Sequence, residues 1–418
     1  MRLGASAYLA HGPLAGPTFE AAAAAGATLA FTSLHIPEDS PAGARAAATA
    51  IVSAAASSGL SVVADVSPNT ARLLGDSPWD FLRSIGVARA RIDFGFSVPE
   101  TLSIAAVLPL ALNASTLRAA DLAPFADFDI ELIHNFYPRE WTGLALSSVT
   151  ASVSVARQFG WRVGAFIAGD SVSRGPLGEG LPTVEEHRNT QPLFQTLALV
   201  DAGVDDVYVG DPALTDHSWS RLGSFVREDL VVLDGTAAAG VHPAVIEALA
   251  VPDRNRPDAA EAMIRLEHSR ERFAGLPLPE VGGQPRPAGS VTVQLASAER
   301  YCGEVAKTLR NLPSDRRVAR LSPTGRARRS RLRPGGGAPK CTTALRSDAR
   351  SGEQPGADRP QSTGVRIAPR HRECLRTSYV RQVVRAVCKR DSPYTRGPVY
   401  GNDRRVRWPA SGDGIVRR

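Results

Sequence analysis

Eight short apolar runs, each followed by a helix-like stretch, fill the first 225 or so residues and leave few architectures open. The runs are GASAYL (4–9), TLAFTSLH (28–35), LSVVADV (60–66), ARIDFGF (90–96), PLALNAS (109–115), DIELIHNFY (129–137), RVGAFIAG (162–169) and DDVYVGD (205–211). Between them lie Ala-rich or amphipathic pieces such as TFEAAAAAGA, AGARAAATAIVSAAASSG, TGLALSSVTASVSVARQFG and HRNTQPLFQTLALVDAG. Several end at a glycine just before the next run, a common helix C-terminal signal. Near-continuous apolar strands separated by helices demand a parallel sheet covered by those helices. Eight such units is the count of a (β/α)8 barrel. An open doubly wound sheet usually has fewer, and no G-x-G-x-x-G follows the first run as a dinucleotide site would require. The expected fold is an α/β chain with a TIM barrel over residues 1–250.

Beyond the barrel the pattern changes twice. Residues 251–274 (VPDRNRPDAAEAMIRLEHSRERFA) predict a connecting helix after a Pro-rich lead, and Gly275 to Pro287 a linker. GSVTVQL (289–295) and the stretch from Arg300 to Val318 read as the start of a small β domain, so residues 251–320 form a second, incomplete unit. From Leu321 both periods are lost. Residues 321–418 hold 23 Arg and Lys against 7 Asp and Glu, a net of +16, whereas residues 1–320 hold 26 against 35, a net of −9. The formal charge of +7 therefore averages an acidic body and a basic tail, and gives the body no case for binding nucleic acid. So little apolar material in the tail predicts disorder. The chain has 46 Arg but 3 Lys, the first at Lys307, a bias expected of GC-rich coding DNA. A wrong-frame reading of such DNA yields this Arg/Pro/Gly/Ser/Ala mixture, so residues 321–418 are read as a disordered or frameshifted end. An evolved nucleic-acid arm would interleave aromatics or a motif with its arginines.

Other classes are set aside more briefly. No run of about 18 apolar residues exists, which argues against a membrane span. The N-terminal MRLGASAYLAHGPLAG lacks the apolar stretch of a signal peptide. Cys302, Cys341, Cys374 and Cys388 show no C-x-x-C spacing, so neither a disulfide scaffold nor a zinc site is expected, and a reducing cytoplasm fits. The sequence leaves the oligomeric state open.

In a barrel, chemistry sits where strands end. Those ends supply Ser33, His35 and Glu38; Asp65 and Ser67; Asp93; Asn113 and Ser115; and His134, Asn135, Tyr137 and Arg139. The last two supply Asp170 with the RGPLGEGLP loop, then Gly210 and Asp211. Polar residues closing so many apolar strands are hard to explain by packing. Asp93, between Ile92 and Phe94 on a strand expected to be buried, needs a partner or a role. Asp65 before Val-Ser-Pro also fits a turn cap, and His134 and Asn135 also fit satisfied core hydrogen-bonders. The loop SRGPLGEGLPTVEEHR (173–188) is the most informative. Gly175 and Gly178 can present backbone N–H groups, and Arg174 adds a fork suited to phosphate or carboxylate. Glu185, in the first turn that follows, reads as serving the helix dipole. The barrel offers no H-x-E or H-E-x-x-H pair, so no metal and no cofactor are expected.

FTSLHIPE, ADVSP, RIDFGFS, LNAST, HNFYPRE-TGL, RGPLGEGLPT-EEHR and VGDP, in that order, closely resemble the MupG-type 6-phospho-N-acetylmuramidases. The resemblance runs on through RNRPDAAEAMIR, GSVTV and RYCGEV…LRNLPSD, covering roughly residues 1–320. It implies a cytoplasmic glycosidase of peptidoglycan recycling, acting on an imported phosphorylated amino-sugar disaccharide. The products would be N-acetylmuramic acid 6-phosphate, from the non-reducing end, and N-acetylglucosamine. It also implies a small cyclophilin-like β domain after the barrel. The chain departs from the family pattern at Glu140-Trp141, before Thr-Gly, and in lacking the small domain's expected continuation after Val318.

Glycoside hydrolysis needs two carboxyl groups across the scissile bond. Asp65, Asp93, Glu179 and Asp211 are the candidates, with Asp93 as the strand-borne carboxylate and Glu179 as the loop-borne acid. Asn113, His134, Asn135, Tyr137, Arg139, Arg174, Gly175 and Gly178 form the expected substrate-binding set, Arg139 and Arg174 supplying the cations. Three other readings stay open: a phosphosugar lyase or isomerase on the same barrel, a nucleic-acid binder working through the tail, and an inactive product of a damaged gene.

Overall fold

The computed structural model describes residues 1–10, 15–36, 42–116, 118–258, 260–322, 342–347 and 362–368. The eight apolar runs become eight parallel strands. These are β1 (Arg2–Ser6), β2 (Leu29–Ser33), β3 (Ser61–Val66), β4 (Val87–Ile92), β5 (Leu110–Asn113), β6 (Ile130–Ile133), β7 (Arg162–Ile167) and β8 (Asp206–Val209). Each pairs with the next, and β8 closes on β1 with Leu3 opposite Val207 and Gly4 opposite Tyr208. The chain forms the expected TIM barrel.

Inward-facing side chains fill the barrel. Phe31, Phe166 and Tyr208 are wholly buried among Leu29, Val63, Ala111 and Ile133. Tyr208 is accommodated because β1 carries Gly4 opposite it: a Cβ there would lie 2.5 Å from a ring carbon of Tyr208. Outward-facing residues pack under α1 (Ala15–Ala24), α2 (Ala44–Ser57), α3 (Asn69–Leu74), α4 (Pro78–Ser84), α5 (Val98–Ala105), α6 (Leu146–Gln158), α7 (Pro192–Asp201) and α8 (Asp216–Glu228). Each fully buried Leu, Ile, Val or Phe contributes about 1.5–3 kcal/mol before chain entropy is counted. Charge at the opposite end of the barrel is used structurally. Arg2 reaches both Glu131 and Asp206 at 2.7 Å, and Arg162 also bonds Asp206. That end carries stability; the strand C-termini carry the site.

After α8 come β9 (Val231–Thr236), outside the barrel, and α9 (Pro243–Ala250). Then β10 (Met263–Arg265), the short α10 (Ser269–Arg272), β11 (Val291–Gln294), β12 (Val305–Thr308) and β13 (Val318–Arg320) form a small antiparallel sheet ordered β10-β12-β11-β13. The helix expected over 251–274 does not form across that span. Met263–Arg265 is a strand, with Ile264 opposite Lys307, and only Ser269–Arg272 is helical. Ile264 and Leu266 are buried while Met263 and Arg265 are partly exposed, a period of two that the helix-forming AAEAMIR composition masks. Two tail segments, β14 (Thr342–Ser347) and β15 (Ser362–Ala368), pair antiparallel with each other, and β15 pairs with β9. Apart from residues 321 and 322, the rest of the tail expected to be disordered, with Glu38, Cys341, Cys374 and Cys388, lies outside the described residues. Among the described residues no helix is long and apolar enough to cross a membrane.

Candidate active site

A buried arginine organises one half of the barrel mouth. Arg91, on β4, is 1% exposed and its Nη1 donates to Asp65 Oδ1 at 2.5 Å and to Asp93 Oδ1 at 3.3 Å. Its Nη2 donates to Asn135 Oδ1 at 2.5 Å, and Nε and Nη2 both reach the Ile133 carbonyl. His35 Nε2 donates to Asp65 Oδ2 at 2.9 Å and stands 3.6 Å from Asp93 Oδ2. Asn113 Nδ2 donates to Asp93 Oδ1 at 2.7 Å. Asn135 N donates to Ser115 Oγ, which lies 3.2 Å from His134 Nδ1. Five strands thus contribute to one network. Asp93 follows the end of β4 instead of lying within it, and Phe94 turns outward against His35, ring centroids 5.7 Å apart.

The two carboxyls differ in environment. Burial pushes Asp65 up, but Arg91 and His35 more than offset it, so Asp65 is held below its ordinary value as a carboxylate. Burial and the Asp65 charge push Asp93 up, and Arg91 and His35 only partly offset them. Neighbouring carboxyls whose affinities for protons are driven apart are suited to separate acid and anion roles. Burial and Arg91 lower His134 to about 4, so its ring is neutral near pH 7. His35, Asp65 and Asp93 also place one ligand atom each within 4.8 Å of one another, a grouping that spacing in the sequence does not reveal. Arg91 already contacts both carboxylates there, balancing their charge with the protein's own cation.

The other half is built by the loops after β7 and β8. Asp211 is fully buried and accepts three backbone N–H groups: Gly169 at 2.7 Å, Leu181 at 3.0 Å and Arg174 at 3.0 Å. It anchors the 174–181 loop. Gly210 lets the loop come this close, since a Cβ there would lie 2.6 Å from the Leu181 carbonyl oxygen. The Arg174 guanidinium lies 4.4 Å from the Tyr8 ring centroid and 5.5 Å from that of Phe136. Among the described residues no carboxylate is within ion-pair distance of it. Phe136 follows Asn135, so two consecutive residues join the Arg91 network to the Arg174 platform. Replacing Asp211 by Ala should destabilise the protein by about 2–4 kcal/mol and lower activity by loosening the loop. The check is thermal unfolding beside a pH–rate profile, whose limbs should stay in place.

The N-terminal family profile described as 6-phospho-N-acetylmuramidase matches residues 3–224, and the corresponding C-terminal profile matches residues 241–323. The chain belongs to this family. Among solved structures, a conserved Enterococcus faecalis protein described as having an unknown function is 27% identical, with a TM-score of 0.66 over 77% of this chain and 90% of that one. An uncharacterised B. cereus protein is 25% identical, with a TM-score of 0.61 over 77% and 92%. No curated protein matches this sequence closely enough to count as a relative.

Within this 6-phospho-N-acetylmuramidase framework, the residues singled out from sequence fall into two groups. Asp65, Asp93, Asn113, His134 and Asn135 meet around Arg91. Arg174, Gly175, Gly178, Glu179 and Asp211 belong to the anchored loop. Gly178 spends its N–H on the Arg174 carbonyl, at a φ of +70°, and closes the loop's own turn. Glu179 Oε2 accepts from Glu140 N at 2.8 Å. Tyr137 and Arg139 contribute carbonyls to Arg188, and the Arg139 side chain is exposed.

Two arginines that hold the site together, Arg91 and Arg188, lie outside the site residues read from the sequence. The alternating arginines of VARARI, Arg91 lying two residues before Asp93 on the same face, are the available signal for Arg91. Arg188 is buried and binds the carbonyls of Tyr137, Arg139, Glu179 and Gly180, lacing two loops together. Its partner Glu185 also accepts from the N–H groups of Trp141 and Gly143, so it does more than meet a helix dipole. Arg188's bonds, with help from those N–H groups, hold the Glu185 carboxyl down at about 2, below its ordinary 4.5. A depressed carboxyl stabilises the fold above the unfolded value and loses that contribution as pH falls towards the folded one. The Tm gap between the parent protein and Glu185→Gln should therefore narrow as pH drops from about 5 to about 2.

Proposed function

We propose that this muramidase-family chain hydrolyses the glycosidic bond of a disaccharide whose non-reducing sugar is N-acetylmuramic acid 6-phosphate, leaving N-acetylglucosamine. The observation that carries the reading is the contrast between Asp93, held towards its protonated form, and its ionised neighbour Asp65. Asp93 Oδ1 is occupied by Asn113 and Arg91, which leaves Oδ2 to carry the proton to the glycosidic oxygen. This reverses the assignment drawn from sequence, where Glu179 was the acid. Glu179 becomes the second carboxyl, acting on the anomeric carbon's other side directly or through water. Asp65 and Asp211 are spent on Arg91, His35 and backbone N–H groups, and serve as positioning residues. Arg174 receives the 6-phosphate from above the Tyr8 and Phe136 rings. Such a substrate arises from imported cell-wall fragments, which places the reaction in the cytoplasm and in peptidoglycan recycling.

Incubation with the phosphorylated disaccharide tests this reading. The expected result is free N-acetylglucosamine in equal amount to N-acetylmuramic acid 6-phosphate. A rearranged or eliminated sugar with its glycosidic bond intact would make the protein an isomerase or lyase.

A further inference from the structure

Trp141 presents an indole to solvent from a backbone that is held still. It is 82% exposed, the highest value among the exposed large apolar residues described. Its φ of +65° lies in the left-handed region, disfavoured for a bulky side chain and ordinarily given to Gly or Asn. The surroundings enforce this conformation. Trp141 N donates to Glu185 Oε1 at 3.0 Å, Gly143 N to Glu185 Oε2 at 2.8 Å, and Thr142 Oγ1 to the Arg139 carbonyl at 2.6 Å. Immediately before it, Glu140 N is held by the Glu179 carboxylate. A loop that needed only to turn here has no use for an exposed indole. Strain retained at such a position points to a ligand.

The position and the charges around it select that ligand. Trp141 stands one residue from the N–H group held by Glu179, the carboxyl proposed for the second catalytic role. Glu185 is balanced by Arg188. Of the other charges on these two loops, Arg174 is engaged with the Tyr8 and Phe136 rings, and Arg139 is left against Glu140, Glu179 and Glu186, so the indole's neighbourhood is net negative. A phosphorylated, carboxylate-bearing sugar is repelled there and belongs with Arg174. An uncharged pyranose, whose C–H face is apolar and whose rim is polar, matches a flat indole.

We infer that Trp141 is the stacking platform for the uncharged amino sugar on the leaving-group side of the scissile bond. The inference rests on the glycosidase reading above and assigns the specificity of that side to a residue outside the Arg91 network and the Arg174 platform.

The test compares Trp141→Ala, Trp141→Phe and the parent protein on two substrates. One is the phosphorylated disaccharide; the other is N-acetylmuramyl fluoride 6-phosphate, whose leaving group has no ring to stack. Trp141→Ala should lower kcat/KM for the disaccharide about 10-fold, a loss several times heavier than for the fluoride, and Trp141→Phe should restore most of it. Equal losses on both substrates, or none on the disaccharide, would overturn the platform while leaving the glycosidase reading intact. A parent protein that cleaves neither substrate would sink the glycosidase reading. Tryptophan fluorescence titrated with N-acetylglucosamine then decides the platform alone: saturable quenching that Trp141→Phe lacks supports it, and its absence refutes it.

Discussion

Asp93→Asn should leave a folded barrel whose hydrolysis has fallen by about 10²–10⁴-fold, the usual worth of a positioned general acid. The substitution keeps the shape of the side chain and an oxygen to accept from Asn113 and Arg91, so the Arg91 network has no reason to collapse. What it removes is the proton on Oδ2. The pH dependence gives a second handle. Asp93 is raised by burial and by Asp65, and its protonated form is the active one, so kcat/KM should fall as pH rises through its raised value. Asp65→Asn removes the repelling charge and leaves Arg91 to Asp93 alone, and both changes favour the Asp93 carboxylate. The alkaline limb should then move to lower pH. This variant also leaves a buried guanidinium short of one anion, a loss of about 3–5 kcal/mol, so Tm must be followed beside the profile. Glu179→Gln should lose turnover too while the barrel stays folded, and near-parental rates would remove Glu179 from the reaction. An Asp93→Asn enzyme of near-parental rate would move the acid role elsewhere, although Asp65 and Asp211 already have every oxygen hydrogen-bonded.

The barrel is legible because its signal is redundant: eight buried strands must each be apolar almost throughout, and each helix must stop before the next. The polar ends of those strands are legible for the same reason, since a charge closing an apolar run stands out. Partnership is not. Asp65 lies at the end of β3, and Asp93 and Asn135 just past β4 and β6; nothing in their spacing tells that one guanidinium from β4 binds all three. Asp211 looks like Asp93 in sequence, a carboxylate closing a strand. Only the three N–H groups converging on it reveal an anchor. The helical preference of residues 251–274 is overridden because Met263–Arg265 is decided by a neighbour distant in sequence, β12, whose hydrogen bonds outweigh local preference. Arg188 hides in the same way, because its four carbonyl partners come from two loops.

Arg174→Ala should separate recognition from chemistry. The guanidinium is held over two aromatic rings, its own backbone N–H fastened to Asp211, so its position is fixed before any ligand arrives. Little ordering is then required on binding, and a bidentate contact to a phosphate is at its most effective. A charge-assisted contact of this kind is worth roughly 1.5–3 kcal/mol, or about 10- to 150-fold in kcat/KM. The whole of that loss should fall on the 6-phosphorylated disaccharide, with any slow cleavage of the unphosphorylated disaccharide scarcely altered. Arg174→Lys keeps the charge but loses the planar fork and its stacking on Tyr8 and Phe136, so it should recover only part of the activity. The aromatic rings supply a further control. Phe136→Leu keeps the apolar contact yet removes one face of the cation–π pair, and should weaken discrimination between the two disaccharides by a smaller factor than Arg174→Ala. Equal losses on both substrates in Arg174→Ala would show that the side chain braces the loop, and the phosphate would then have to be sought at the exposed Arg139.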